Sequence, residues 1–118
     1  MDRERIVITG MGAVTPVGIG VKTFWENLIK GECGVGTITH FDTSDTIVKI
    51  GAQVKGFEPT NYMPKKLVRE MDVFMQYAYA SAEEALADSG IEIEPARTGI
   101  VMATAMGGSA ATAEAQMQ

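Results

Sequence analysis

Apolar and polar positions change rhythm several times along the chain, and each change predicts an element. Arg5–Thr9 (RIVIT) is a short, mostly β-branched run bounded by the glycines of GMGAVTPVGIG. That pattern predicts a buried strand entering a tight glycine-rich turn. Val21–Lys30 (VKTFWENLIK) then carries Phe24, Trp25, Leu28 and Ile29 at helical spacing, and Gly31 stands where a left-handed cap ends a helix. Strand, glycine turn and helix together open a β/α unit.

The rhythm breaks at Gly34 and stays irregular to Thr60. Turn-forming residues dominate Thr37–Thr46, after which Val48, Ile50, Ala52 and Val54 alternate with Lys49, Gly51, Gln53 and Lys55. This predicts a half-exposed strand in an excursion from the main sheet, over about residues 34–60. Pro64 suits the first turn of a helix. Beyond it, Leu67, Met71, Phe74, Met75, Ala78, Ala82, Ala85 and Leu86 follow a three-and-four spacing that stops at Gly90. One helix over Lys65–Ser89 is expected, roughly 37 Å long at about 1.5 Å per residue. Its stripe of Met and Ala suits close packing. Thr98–Ala105 (TGIVMATA) reads as a second core strand, Gly107-Gly108 as a turn, and Ser109–Gln118 as the start of another helix.

Two core strands, two helices between them and the start of a third amount to an α/β arrangement with too few strands. Parallel sheets are covered on both faces and normally contain more strands, and a two-strand sheet leaves hydrophobic edges open. The pattern alone predicts a piece of a larger α/β domain, an incomplete sheet with flanking helices.

Composition narrows the function classes. The 118 residues are 46% hydrophobic and 21% charged, near the globular average, and suffice for one domain at most. A net charge of −5 argues against bulk attraction to nucleic acid or to an anionic membrane. No apolar run approaches the length of a membrane helix, and no signal-peptide pattern opens the chain; a soluble, cytoplasmic protein is expected. Cys33 is the only cysteine, so neither an intramolecular disulfide nor a cysteine-based metal cluster is available.

Gly10, Gly12 and Gly18 after a strand invite a dinucleotide-binding reading, and the spacing fails it. The fingerprint requires Gly or Ala three residues after the second glycine, where this chain has Thr15 followed by Pro16. No second strand precedes Lys30 to carry the acidic residue that grips a ribose. A structural turn is the better reading.

In order, RIVITGMGAVTPVG, FWENLIKGECGVG, HFDTSD, FEPTNYMPKK, REMDVFMQYAYASAEEALADSGI and GIVMATAMGG resemble consecutive blocks of the condensing enzymes, and most of all of the bacterial β-ketoacyl-acyl-carrier-protein synthases of the KAS II type. The resemblance runs over essentially the whole chain and only the opening part of a typical member. It implies the N-terminal part of a thiolase-like fold, in a homodimeric enzyme of fatty-acid elongation. The implied chemistry transfers an acyl group from a carrier protein to a cysteine, decarboxylates malonyl-carrier protein, and lets its carbanion attack the thioester. Such chemistry needs an activated thiolate, oxyanion donors and imidazoles beside the developing enolate. The resemblance places that cysteine and two histidines beyond Gln118, so no catalytic residue is expected in this chain, which alone should be inactive. No metal or cofactor is implied, since substrates arrive on the phosphopantetheine of acyl-carrier protein. A non-catalytic relative of the chain-length-factor kind and a polyketide ketosynthase are the alternatives.

Within this frame Cys33, in the turn KGECGVG, is expected to be a small, partly buried residue without a role. His40, in HFDTS, is expected to be structural or exposed. Lys65, Lys66 and Arg69 form a basic cluster at the predicted start of the long helix. Positive charge there opposes the macrodipole, which makes a functional reason attractive. By resemblance this helix start contacts acyl-carrier protein, with Lys66 and Arg69 on matching basic positions and Glu70 departing from a residue that is often basic. Met106, Gly107 and Gly108 are implied to line the acyl pocket near the dimer interface. Met106 occupies a gating position where isoleucine is common, and the two glycines allow close backbone approach.

Overall fold

The computed structural model describes residues 4–109 together with 112 and 116. The glycine-rich segment folds first into a minute hairpin: β1 (Val14–Thr15) pairs antiparallel with β2 (Gly18–Ile19), with Val14 opposite Ile19 and Thr15 opposite Gly18. The Thr15 hydroxyl builds the turn. Its oxygen accepts from the backbone N–H of Val17 (3.2 Å) and Gly18 (3.0 Å) and donates to the Gly18 carbonyl (2.9 Å). The residue that breaks the dinucleotide fingerprint is therefore the one that closes this turn. Helix α1 (Val21–Ile29) follows directly, and Gly31 takes the left-handed conformation (φ 75°) just past its end, as expected.

A second hairpin forms within residues 34–60. β3 (Val35–Thr37) pairs antiparallel with β4 (Ile50–Ala52), with Gly36 opposite Gly51. Its long tip is tied by the Lys49 ammonium, which donates to the carbonyls of Thr43 (2.8 Å) and Ser44 (3.2 Å). A 3₁₀ turn at Pro59–Asn61 then brings the chain to the helices.

Where one long helix is expected, there are two. Helix α2 spans Lys65–Glu70 and helix α3 spans Val73–Ser89, separated by extended backbone at Met71 (φ −105°, ψ 132°) and Asp72 (φ −68°, ψ 157°). The cause is local. Asp72 is an N-cap residue, and its carboxylate accepts from the Val73 N–H at 2.6 Å. The carboxamide of Gln76 reaches back to donate to the carbonyls of Val68 (3.1 Å) and Met71 (2.9 Å), satisfying carbonyl groups that the end of α2 leaves open. Gly90 (φ 60°) ends α3 as expected.

The two predicted core strands are also corrected. Residues 4–9 and 98–105 are not hydrogen-bonded as strands, and their side chains face solvent, with Ile6 95% and Val101 98% exposed. A strand is stabilised by its ladder and its covered face, and in this structure these segments have neither. Of the helix predicted from Ser109, only Ser109, Thr112 and Gln116 lie within the described residues, and the Thr112 N–H donates to the Gly108 carbonyl at 2.9 Å.

What core there is sits against α3. Met63 (3% exposed) and Ala80 (1% exposed) are the buried apolar residues among those described, with Gln76 beside them. Phe57 stacks on Tyr62 (centroids 5.5 Å apart, planes 8° apart) and meets Tyr77 edge-on (4.9 Å, 88°). Burial pushes the Tyr77 hydroxyl above its ordinary pKa. The face of α3 that the sequence marks as apolar is only partly used, since Ala82 and Leu86 are exposed. The accessible surface is 9829 Å², against about 6,200 Å² for a compact monomer of this mass. The radius of gyration is 17.6 Å, against about 13.5 Å for a compact chain of this length.

Two acidic residues on α3 lock the glycine-rich segment in place. Glu84 accepts from the Ala13 N–H (2.9 Å) through one oxygen and from the Val21 N–H (2.7 Å), at the first residue of α1, through the other. One turn on, Asp88 accepts from the Met11 N–H at 3.1 Å. The backbone lies so close that a Cβ at Gly12 would fall on the Ser81 carbonyl oxygen, and one at Gly10 on that of Ala85. Glu84→Gln replaces one acceptor with a donor facing an N–H. It should lower stability by about 1–3 kcal/mol, read as a lower urea midpoint, and speed amide exchange at Ala13 and Val21. Unchanged exchange at both amides would show that the carboxylate does not hold the segment.

Candidate functional site

The basic cluster and the Gly107-Gly108 turn lie to either side of the break between α2 and α3. Lys65, Lys66 and Arg69 are exposed along α2. Because α2 is only six residues long, Arg69 belongs to its last turn, where positive charge complements the macrodipole. The electrostatic oddity inferred from the sequence therefore holds for Lys65 and Lys66 but not for Arg69. Lys65 also has an acidic neighbour. Glu58, which accepts from the Thr60 hydroxyl (2.7 Å) and N–H (3.2 Å), is held below its ordinary carboxylate pKa first by those hydrogen bonds and to a smaller degree by the Lys65 charge. Lys66 and Arg69 are left as the cationic pair facing outward.

On the other side of the break lies the Gly107-Gly108 turn. A Cβ added at Gly107 would sit 2.6 Å from Phe74 Cε2 and 2.7 Å from Thr104 Oγ1. Gly108 has φ 81°, and a Cβ there would lie 3.7 Å from both Phe74 Cε1 and Asp72 Oδ2. Close approach and a left-handed backbone thus require glycine at this pair. Met106 is 79% exposed and lines a shallow groove with Gly107, Ser109, Thr112 and Gln116. Asp72 is the shared node. It caps α3, follows the basic helix within three residues of Arg69, and lies beside Gly108.

Asp72, Phe74 and Gln76 are absent from the candidates drawn from the sequence. Asp72 carried a usable signal, an N-cap residue inside a periodic run. Phe74 did not, because it meets Gly107 and Gly108 from distant chain, and Gln76 did not, because its bonds to Val68 and Met71 exist only once the helix has broken between them.

Cys33 is exposed rather than partly buried, on the loop after α1. It lies on no strand-to-helix elbow. His40 is exposed too, on the rim of an open cleft between the β3–β4 hairpin and the start of α3, with Gln53, Phe57 and Tyr77 on its walls. Among the described residues no group of three or more His, Cys, Asp and Glu side chains could hold a metal ion, and no helix is long and apolar enough to cross a membrane.

Helices packed on a glycine-rich turn, with a second glycine turn at the end of an extended segment, form part of an α/β, thiolase-like fold. Residues 3–118 match the family described as Beta-ketoacyl synthase, N-terminal domain, and the chain belongs to that family. It is 41% identical over 111 residues to the 3-oxoacyl-[acyl-carrier-protein] synthase 2 of Vibrio cholerae, an alignment covering 92% of this chain and 27% of that protein. The protein of the same name from Staphylococcus aureus is 41% identical over 110 residues, covering 91% and 27%. Among solved structures, the ishigamide ketosynthase/chain length factor superposes with a TM-score of 0.64 at 32% identity, covering 73% of this chain and 21% of the other. The chain thus spans about a quarter of the length of the curated relatives it matches.

The Glu58 carboxylate gives a test at low pH. A depressed carboxylate pKa stabilises the Pro59–Asn61 turn at pH values above the ordinary carboxylate value of 4.5, and that support is lost as pH falls through the lower folded value. The Thr60 amide resonance should titrate with a midpoint below 4.5, and Thr60→Ala should move the Glu58 midpoint upward. A midpoint unmoved by that substitution would contradict the assigned cause.

Proposed function

We propose that this chain is the N-terminal portion of the N-terminal domain of a 3-oxoacyl-acyl-carrier-protein synthase acting in fatty-acid elongation. The observation that carries the proposal is the 41% identity, sustained over 111 residues, to a 3-oxoacyl-[acyl-carrier-protein] synthase 2, within a family match running from residue 3 to 118. The intact enzyme takes an acyl group from acyl-carrier protein onto a cysteine thiolate. Loss of CO₂ from malonyl-carrier protein leaves a carbanion, which attacks the acyl thioester and expels the thiolate. The cysteine and two histidines belong to sequence beyond Gln118. The reaction exchanges thioesters and releases CO₂ without redox change, so it calls for no redox cofactor; substrates ride on phosphopantetheine. The exposed segments Arg5–Thr9 and Thr98–Ala105 would pair as strands with further chain of the intact protein, and a homodimer would bury part of the remaining apolar surface.

This chain contributes two parts. Lys66 and Arg69, with Lys65 behind them, form a landing site for acidic acyl-carrier protein. Met106, Gly107 and Gly108 form one wall of the acyl pocket, with Met106 at its gate. A second reading, a chain-length-factor-like subunit without its own chemistry, draws on the likeness to a ketosynthase/chain length factor structure. Incubating the intact protein with acyl-carrier protein thioesters separates the two, since only the synthase becomes acylated on cysteine and forms 3-oxoacyl product. The 118-residue chain alone should do neither.

In the intact enzyme, Lys66→Glu with Arg69→Glu should raise KM for acyl-carrier protein about tenfold or more, with a smaller change in kcat, as lost charge complementarity acts on encounter. An unchanged KM in a folded variant would remove these residues from the landing site. Met106→Ala should shift the preferred acyl length, and an unaltered acyl profile would remove Met106 from the pocket.

A further inference from the structure

Building on the assignment of Met106 to the acyl gate, we infer that Phe74 is a positioning residue for acyl-chain selection, holding the Gly107-Gly108 turn, and through it Met106, in place. The ring lies where a side chain at residue 107 would be: a Cβ on Gly107 would stand 2.6 Å from its Cε2 and 2.8 Å from its Cδ2, and one on Gly108 3.7 Å from its Cε1. One aromatic ring therefore lies against both glycines of the turn.

The ring has a firm base. Phe74 is the second residue of α3, and the start of that helix is fixed by the Asp72 cap on the Val73 N–H and by the two hydrogen bonds that Gln76 sends back to Val68 and Met71. Met106 has no such support. It is 79% exposed, with a long unbranched side chain that adapts to its surroundings. Its location is set by the backbone of residue 107, and that backbone rests on Phe74. The ring is 36% exposed, so removing it takes away the surface on which the turn rests and leaves the turn free to shift. A displaced turn moves the gate without touching any reacting atom.

The test measures kcat/KM of the intact synthase across acyl-carrier protein substrates from short to long chains. Phe74→Ala should change the long-to-short ratio at least about fivefold, within the range that small changes in an apolar pocket produce, while KM for malonyl-acyl-carrier protein stays near wild type. Phe74→Leu keeps much of the bulk and should give a smaller shift in the same direction, which keeps the test open if the alanine variant folds poorly. Gly107→Ala should also disturb the ratio, because its methyl meets the ring. Phe74→Ala combined with Gly107→Ala should be less disturbed than Gly107→Ala alone, since the methyl then enters the vacated space. In a Met106→Ala background, Phe74→Ala should have no further effect on the ratio.

A uniform loss across all chain lengths that tracks a lower Tm would overturn the inference, as would additive effects in the two double variants. If Met106→Ala shifts the acyl profile and the Phe74 series does not, Phe74 alone is refuted. If the wild-type intact protein forms no 3-oxoacyl product, the synthase assignment falls and this inference with it.

Discussion

The two oxygens of Glu84 tie the glycine-rich segment and the start of α1 to α3. One holds the Ala13 amide and the other the Val21 amide, so a single carboxylate on α3 fixes the entry to the β1–β2 hairpin and the start of α1. Charge-assisted hydrogen bonds of this kind exceed ordinary backbone pairs in strength, and at Val21 the carboxylate also meets the positive end of a helix. Asp88 adds a third bond four residues later on the same face of α3. The backbone can come close enough only because Ser81, Ala85 and Ser89 leave a shallow groove and Gly10 and Gly12 bring no Cβ into it. Acidic residues, small residues and glycines are thus three parts of one contact.

Away from that contact the structure is open, and the reason is energetic. Side chains such as Ile6, Ile8, Ile100 and Val101 each forgo about 1.5–3 kcal/mol of burial in this arrangement. Hairpins of two strands are marginal in water, and neither hairpin here brings an apolar face large enough to change that. The excess of surface over a compact monomer is of the size buried in large obligate interfaces.

Local signals carried much of the fold in the sequence. The end of α1 at Gly31 and of α3 at Gly90 followed from glycine chemistry, and β4 (Ile50–Ala52) lies inside the alternating run Val48–Lys55. The β1–β2 hairpin was not legible, because Thr15-Pro16-Val17-Gly18 reads as a loop until the Thr15 hydroxyl is seen closing it. The break at Met71–Asp72 was hidden by apolar spacing that continues across it. Asp72 could have signalled it, but the carbonyls stranded by the break are satisfied by Gln76, a bond that spacing does not encode. At 5–9 and 98–105 the pattern predicts strands that the structure does not form, for the opposite reason. Their composition describes what they can do with neighbours, and the ladder itself is non-local.

The same break explains why two groups of residues far apart in sequence converge. A continuous helix from Lys65 would keep one phase through Phe74. The extended step at Met71–Asp72 resets it, leaving Lys66 and Arg69 exposed on α2 while the first turn of α3 lies under Gly107 and Gly108. Asp72 is then constrained from three sides: it must stop α2, cap α3, and leave room for a left-handed residue beside it. A residue with no short acceptor at that point would lose the cap, and with it the reason for the helix to restart. The geometry that separates a charged outer face from an apolar turn thus depends on one carboxylate, as the glycine-rich segment depends on another.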